Sequence, residues 1–209
     1  MKIDTEAALR GHYEPAMELS LLKQMSHVDG HARNFISKSP FLCIATANKD
    51  GRADISPRGD PPGFVQVLNE KTLIIPDRPG NNRLDTMGNI VDNPNVSMIF
   101  FIPGIDDTLR VVGRAHVMKD EAVLAKCAIN GRVPKVAIAV SVDEVFFHCA
   151  KALKRSKFWD PKQFLDRSAL PSLGRIILDQ TSATGKCESD GKVEEADRFI
   201  EDNYVTGLY

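Results

Sequence analysis

The sequence predicts an α+β fold in which six to seven antiparallel strands form a barrel decorated by helices. Two observations lead there. After Pro40 the apolar residues leave helical spacing and fall into short apolar or alternating runs, FLCIATAN, ADIS, FVQVL and TLIIP, divided by the turn-forming DG, PPG and NE. Farther along, VSMIFFI, TLRVVGRAHVM and KVAIAVSVDEVFFHC read as three longer strands, with too few intervening helices for a doubly wound parallel sheet.

Taken in order, Met17, Leu21, Leu22 and Met25 place a helix between Glu14 and His27, and Asp29 caps a second one running to Lys38. The strand meander follows. A helical period returns from Asn82 to Asn93, with Leu84, Met87 and Val91 on one face and Pro94 as its stop. Another helix is expected from Asp120 to Asn130. Beyond Cys149 come a short basic helix in AKALKRSKFWD, a helical pair, a polar stretch TSATGKCESDGK expected to be mobile, and a final helix marked by Val193, Ala196, Phe199 and Ile200. The chain divides into a helical extension over 1–39, a barrel domain over 40–161 and a helical tail over 162–209 packed on the barrel.

Composition narrows the function classes. A chain of this length buries roughly 70% of its unfolded surface, so its stability does not require a disulfide or a structural metal. With 27 basic and 28 acidic residues and no long run of one sign, the chain lacks the electrostatic footprint of a nucleic-acid binder. No stretch approaches ~18 uninterrupted apolar residues, and the amino terminus has no signal-peptide core; a soluble, cytoplasmic protein without membrane contact is expected. Cys43, Cys127, Cys149 and Cys187 are scattered without close pairs and read as buried free thiols. His116, His148 and Cys149 have no zinc-like spacing, and a nucleophilic role for Cys149 beside Lys151 is the minor reading of a strand cysteine. Arg58-Gly59-Asp60 matches an adhesion-receptor tripeptide, a reading that requires an extracellular protein.

The stretch IPDRPGNNRLD, from Ile75 to Asp85, carries the functional signal. If TLIIP is a strand and Asn82 caps the next helix, the loop delivers the chain to a helix amino terminus, where free N–H groups and the dipole favour an anion. Arg78 on the loop and Arg83 in the first turn can both reach that place through paired hydrogen bonds. A cation in the first turn opposes the dipole unless an anion compensates it, and a phosphate fits. The loop SPRGDPPGF brings Ser56, Arg58 and Asp60 between two predicted strands, where it can cover the same barrel end.

Together, SPRGDPPGFVQVL, TLIIPDRPGNNRLDTMGNIVDNPNVSMIFFIPG, LRVVGRAHV and HCAKALKRSKFWDP resemble the pyridoxamine 5'-phosphate oxidase-related, FMN-binding split-barrel family, over about Phe35 to Pro161. The resemblance implies a Greek-key split barrel and a homodimer with two FMN sites at the subunit interface. It implies FMN phosphate on Arg78, Asn82 and Arg83, the Ile75 and Asp77 main chain near the isoalloxazine edge, and Ser56 and Arg58 lining the neighbouring loop. Lys151, Arg155, Ser156 and Trp159 of the other subunit would close over the flavin. The sequence departs from the true oxidase, which has Ser-Arg-Lys where PGNNR stands here and ends on a basic, Arg-containing strand where this chain runs to VTGLY. FMN binding survives those departures, whereas oxidation of pyridoxamine phosphate is not expected.

Trp159, the only tryptophan, sits among Lys151, Lys154, Arg155 and Lys157. It can pack a helix on the barrel, and its cationic surroundings also suit a ring that gains negative charge on reduction. The sequence thus leads to an FMN-dependent oxidoreductase passing electrons between a reduced nicotinamide or deazaflavin and a small organic acceptor. The alternative is a non-enzymatic flavin or haem binding or carrier module.

Overall fold

The computed structural model describes residues 2–182 and 189–209. Half of the polar stretch expected to be mobile, residues 183–188 with Cys187 among them, lies outside the described residues. Among the described residues seven strands make one antiparallel sheet: β1 (Phe41–Ala47), β2 (Ala53–Gly59), β3 (Gln66–Asn69), β4 (Thr72–Pro76), β5 (Asn95–Phe101), β6 (Thr108–Met118) and β7 (Ala137–His148). Their order across the sheet is β2-β1-β5-β6-β7-β4-β3, so the barrel stays split between β2 and β3.

Alternation explains most of these strands. In β1 every second residue is buried, and Leu42 and Ile44 meet Met98 and Phe100 of β5, Leu109 and Val111 of β6, and Val140 and Val145 of β7 in the main core. The continuous apolar run in β4 has a different cause, since both of its faces are covered. Leu73 and Ile75 enter the main core, while Ile74 joins Leu124, Cys127, Ala137 and Ala139 in a second cluster.

The helices are α1 (Glu6–Arg10), α2 (Glu18–Leu22), α3 (Gly30–Lys38), α4 (Asp85–Asp92), α5 (Glu121–Lys126), α6 (Lys151–Ser156), α7 (Leu173–Thr181) and α8 (Asp190–Thr206). Asp29 caps α3 as expected, accepting from the Ala32 N–H at 2.8 Å, and Ala32, Phe35 and Ile36 seal the core. The helix expected from Glu14 to His27 shrinks to the five residues of α2, with Met17, Leu21 and Leu22 exposed. Without tertiary packing so short a helix does not propagate, and Met25 instead exchanges main-chain bonds with Val145 at 3.0 and 2.7 Å.

The helix expected to reach Asn130 ends at Lys126, because Asn130 and Gly131 take positive φ in a tight turn bridging Ile129 and Arg132. In α4 the buried face is Thr86 and Ile90, while Leu84 and Val91 of the expected face are exposed. α7 and α8 pack on each other: Ser172 caps α7, and the Gly174 N–H donates to Asp197 at 2.9 Å. Cys127 is buried, Cys43 half-buried and Cys149 exposed, correcting the expectation of uniformly buried thiols; Cys149 lies just past the end of β7. Burial raises the pKa of both the Cys43 and the Cys127 thiol.

Among the described residues no helix is long and apolar enough to cross a membrane. Nor do three or more His, Cys, Asp or Glu side chains gather among them as a metal site.

Candidate functional site

A cleft of about 1270 Å³ opens at one end of the sheet, between β2, the end of β4, the 78–84 loop, the start of α4 and the 129–136 segment. β2 is longer than expected. Ser56, Pro57 and Arg58, read from the sequence as loop, pair with Ile44, Cys43 and Leu42 of β1. An outer strand tolerates Pro57, and the pairing places Asp54, Ser56 and Arg58 on the half-buried face that looks into the cleft. The Arg58 guanidinium reaches the Asp77 carboxylate at 3.6 Å, and its Nε is buried without a hydrogen-bond partner among the described residues. A guanidinium left part-satisfied in a cleft is a ready donor for an incoming acceptor.

Arg78 turns inward from its loop. Its Nε donates to Asp60 at 2.5 Å and its Nη2 to the Cys127 carbonyl at 3.0 Å, and its guanidinium lies 5.9 Å from the centroid of the Tyr209 ring. The Tyr209 hydroxyl donates to the other Asp60 oxygen at 2.6 Å. That hydrogen bond, with burial and the Asp60 charge adding to it and Arg78 opposing, pushes the Tyr209 phenol above its ordinary pKa.

The helix start differs from the expectation in a way that matters. α4 begins at Asp85, so Asn82 is not its cap and Arg83 precedes the first turn. Asn82 and Leu84 adopt positive φ of 57° and 59°, which Asn tolerates and Leu does not, a strain of about 1–3 kcal/mol at Leu84. Leu84 occupies the cap position and has no side-chain oxygen to offer the first-turn N–H groups, which border the cleft. Arg83 is 72% exposed and donates to Asp85 at 2.7 Å, a contact that raises the Arg83 pKa. An exposed pair of this kind is worth little and leaves the guanidinium free to change partner.

The remaining candidates separate. The Ile75 side chain is buried in the core and its main chain pairs with Ile138 of β7, while the Asp77 N–H is spent on the Val136 carbonyl at 3.1 Å. Asp77 therefore meets the cleft chiefly through its carboxylate.

Lys151, Arg155, Ser156 and Trp159 do not line the cleft of their own chain. α6 is tied to the loop after β5: Lys154 sits 3.9 Å from Asp106, and the Trp159 indole N–H donates to the Ile105 carbonyl at 3.0 Å. Ser156 donates to Leu153, within its own helix.

Sequence reasoning missed Arg132, Lys135 and Tyr209 on the cleft wall. The Asn130-Gly131 turn was a local signal for Arg132. Nothing near Tyr209 in sequence points to Asp60, 149 positions away.

The model of the pyridoxamine 5'-phosphate oxidase family matches residues 28–149, more than half of the chain. The chain belongs to the pyridoxamine 5'-phosphate oxidase family. The family match takes in every cleft-lining candidate and stops just short of Lys151, Arg155, Ser156 and Trp159.

No curated protein matches the chain. Among solved structures, HupZ of Group A Streptococcus is 20% identical, with a TM-score of 0.47 over 57% of this chain and 93% of its own. The general stress protein 26 of Bacillus anthracis str. Sterne gives 16%, 0.44, 55% and 88% for the same four quantities. The FAD binding protein of Mycobacterium smegmatis gives 16%, 0.41, 59% and 97%. Likenesses this distant assign no ligand to the chain.

Proposed function

We propose that the cleft binds FMN and that the protein is an FMN-dependent oxidoreductase acting on a small molecule as a homodimer in the cytoplasm. The observation that carries this reading is the α4 start, without a side-chain cap and bordering a cleft that Arg58, Arg78 and Arg83 also line. The family match favours the same ligand class. The residues present fit the cofactor: the Arg58 Nε, without a partner among the described residues, is a donor in want of an acceptor, and the cleft exceeds the roughly 300–1,000 Å³ of common ligand pockets, leaving room for a second molecule.

The phosphate would lie against the first-turn N–H groups of α4 and Arg83, with Arg78 held behind it by Asp60. Ser56 and Arg58 would face the remainder of the cofactor from β2. When bound, FMN supplies hydride and electron transfer, while this chain supplies orientation and charge. An absorption spectrum of the purified protein, with mass analysis of what denaturation releases, is expected to show FMN; haem or no cofactor would overturn the reading.

A composite site would employ Lys151, Arg155, Ser156 and Trp159 from the second subunit, an arrangement supported by their place outside the cleft lining of their own chain. The test pairs Arg83→Ala with Lys151→Ala, each expected to lose flavin as a homodimer. If the two are unfolded and refolded together, half the dimers are mixed, and each mixed dimer has one intact site, so about a quarter of all sites recover. No recovery, with mixed dimers demonstrated, would place Lys151 within its own chain's site or outside any site.

A further inference from the structure

The Asp60 side chain is only 1% exposed, yet both of its oxygens are occupied, one by Arg78 at 2.5 Å and the other by the Tyr209 hydroxyl at 2.6 Å. Its main-chain N–H is also fixed, donating to the Pro40 carbonyl at 3.0 Å. Water cannot substitute freely for either partner at so buried a carboxylate. We propose that Tyr209 is a positioning residue for the anion site, acting through Asp60 on the guanidinium of Arg78; this rests on the phosphate reading above.

The physical case turns on competition for Arg78. A carboxylate whose second oxygen accepts from a phenol has part of its charge drawn away from the guanidinium, and it is held in one rotamer. Without the hydroxyl, that oxygen is a buried acceptor with no donor. The carboxylate then turns both oxygens toward Arg78, as carboxylates do with an arginine fork, and draws the guanidinium away from the cleft. The Tyr209 ring restricts the guanidinium from another side, and the Cys127 carbonyl restricts Nη2. Tyr209 thus leaves Arg78 only partly neutralised and aims its remaining N–H groups at the ligand.

The test titrates apoprotein with FMN and with riboflavin, in the wild type and in Tyr209→Phe, which keeps the ring and removes only the hydroxyl. The variant is expected to weaken FMN about three- to tenfold and to leave riboflavin within about twofold, because only the phosphate senses Arg78. Tyr209→Leu, which also removes the ring, is expected to show that same phosphate-dependent loss together with a further loss common to both ligands. An equal change for the two ligands in Tyr209→Phe would reduce Tyr209 to a piece of cleft wall and overturn the inference, as would no change for either. A wild type that binds FMN and riboflavin equally would overturn the phosphate reading itself, and the inference with it.

Discussion

The apoprotein is expected to bind FMN about two to four powers of ten more tightly than riboflavin. Two charge-assisted hydrogen bonds to a phosphate contribute about 1.5–3 kcal/mol each, and each 1.4 kcal/mol is a tenfold change in affinity. The two guanidinium groups do not contribute alike. Arg83 gives up an exposed contact with Asp85 and a weaker attraction to Asp54, so much of its interaction with the phosphate is net gain. Arg78 is already paired with a buried carboxylate, so its own bond to the phosphate brings a smaller net gain. Arg83→Ala is therefore expected to move FMN most of the way toward the riboflavin value. Because Arg83 is exposed, the preference should also shrink as salt rises and the Debye length contracts. Equal affinities measured by titration at low salt would remove the phosphate site.

Replacement of Gly113 by alanine is expected to destabilise the protein by about 3 kcal/mol, a value at the severe end for an added methyl group. The added Cβ would stand 2.2 Å from the Ser141 carbonyl oxygen, 3.1 Å from the Ser141 carbonyl carbon and 3.2 Å from Val140 Cγ1. A flexible side chain could rotate aside, but this oxygen belongs to the main chain of β7. Gly113 sits where the β6–β7 register shifts, between Val112 and Gly113, and these two strands form the longest ladder of the sheet. Relief requires the strands to part at the bulge. Urea unfolding of Gly113→Ala checks this, and a midpoint within error of the wild type would mean that the strands part at the bulge without cost.

The sequence revealed the strands whose faces differ and blurred the places where tertiary pairing decides. β1 and β5 alternate cleanly, and β4 declared itself by an unbroken apolar run. The second half of β2 was hidden, because Ser56-Pro57-Arg58-Gly59 has turn chemistry and becomes a strand only by pairing with β1.

The arginine-bearing loop before a helix was legible in the sequence, and Arg78 and Arg83 do line the cleft. The start of that helix was not, since positive φ at Leu84 runs against its intrinsic preference. Tyr209 was beyond local reasoning altogether, because its partner Asp60 is brought to it only by the folded tail.

The opening between β2 and β3 bears on how two copies of this chain can meet. Both outermost strands are poor templates for extending the sheet into another molecule. β2 contains Pro57, which has no N–H to give, and β3 is only four residues long. Such edges protect against runaway strand addition and aggregation. They also leave side-chain surfaces, rather than a sheet continued from one subunit into the next, as the means by which a specific dimer would form.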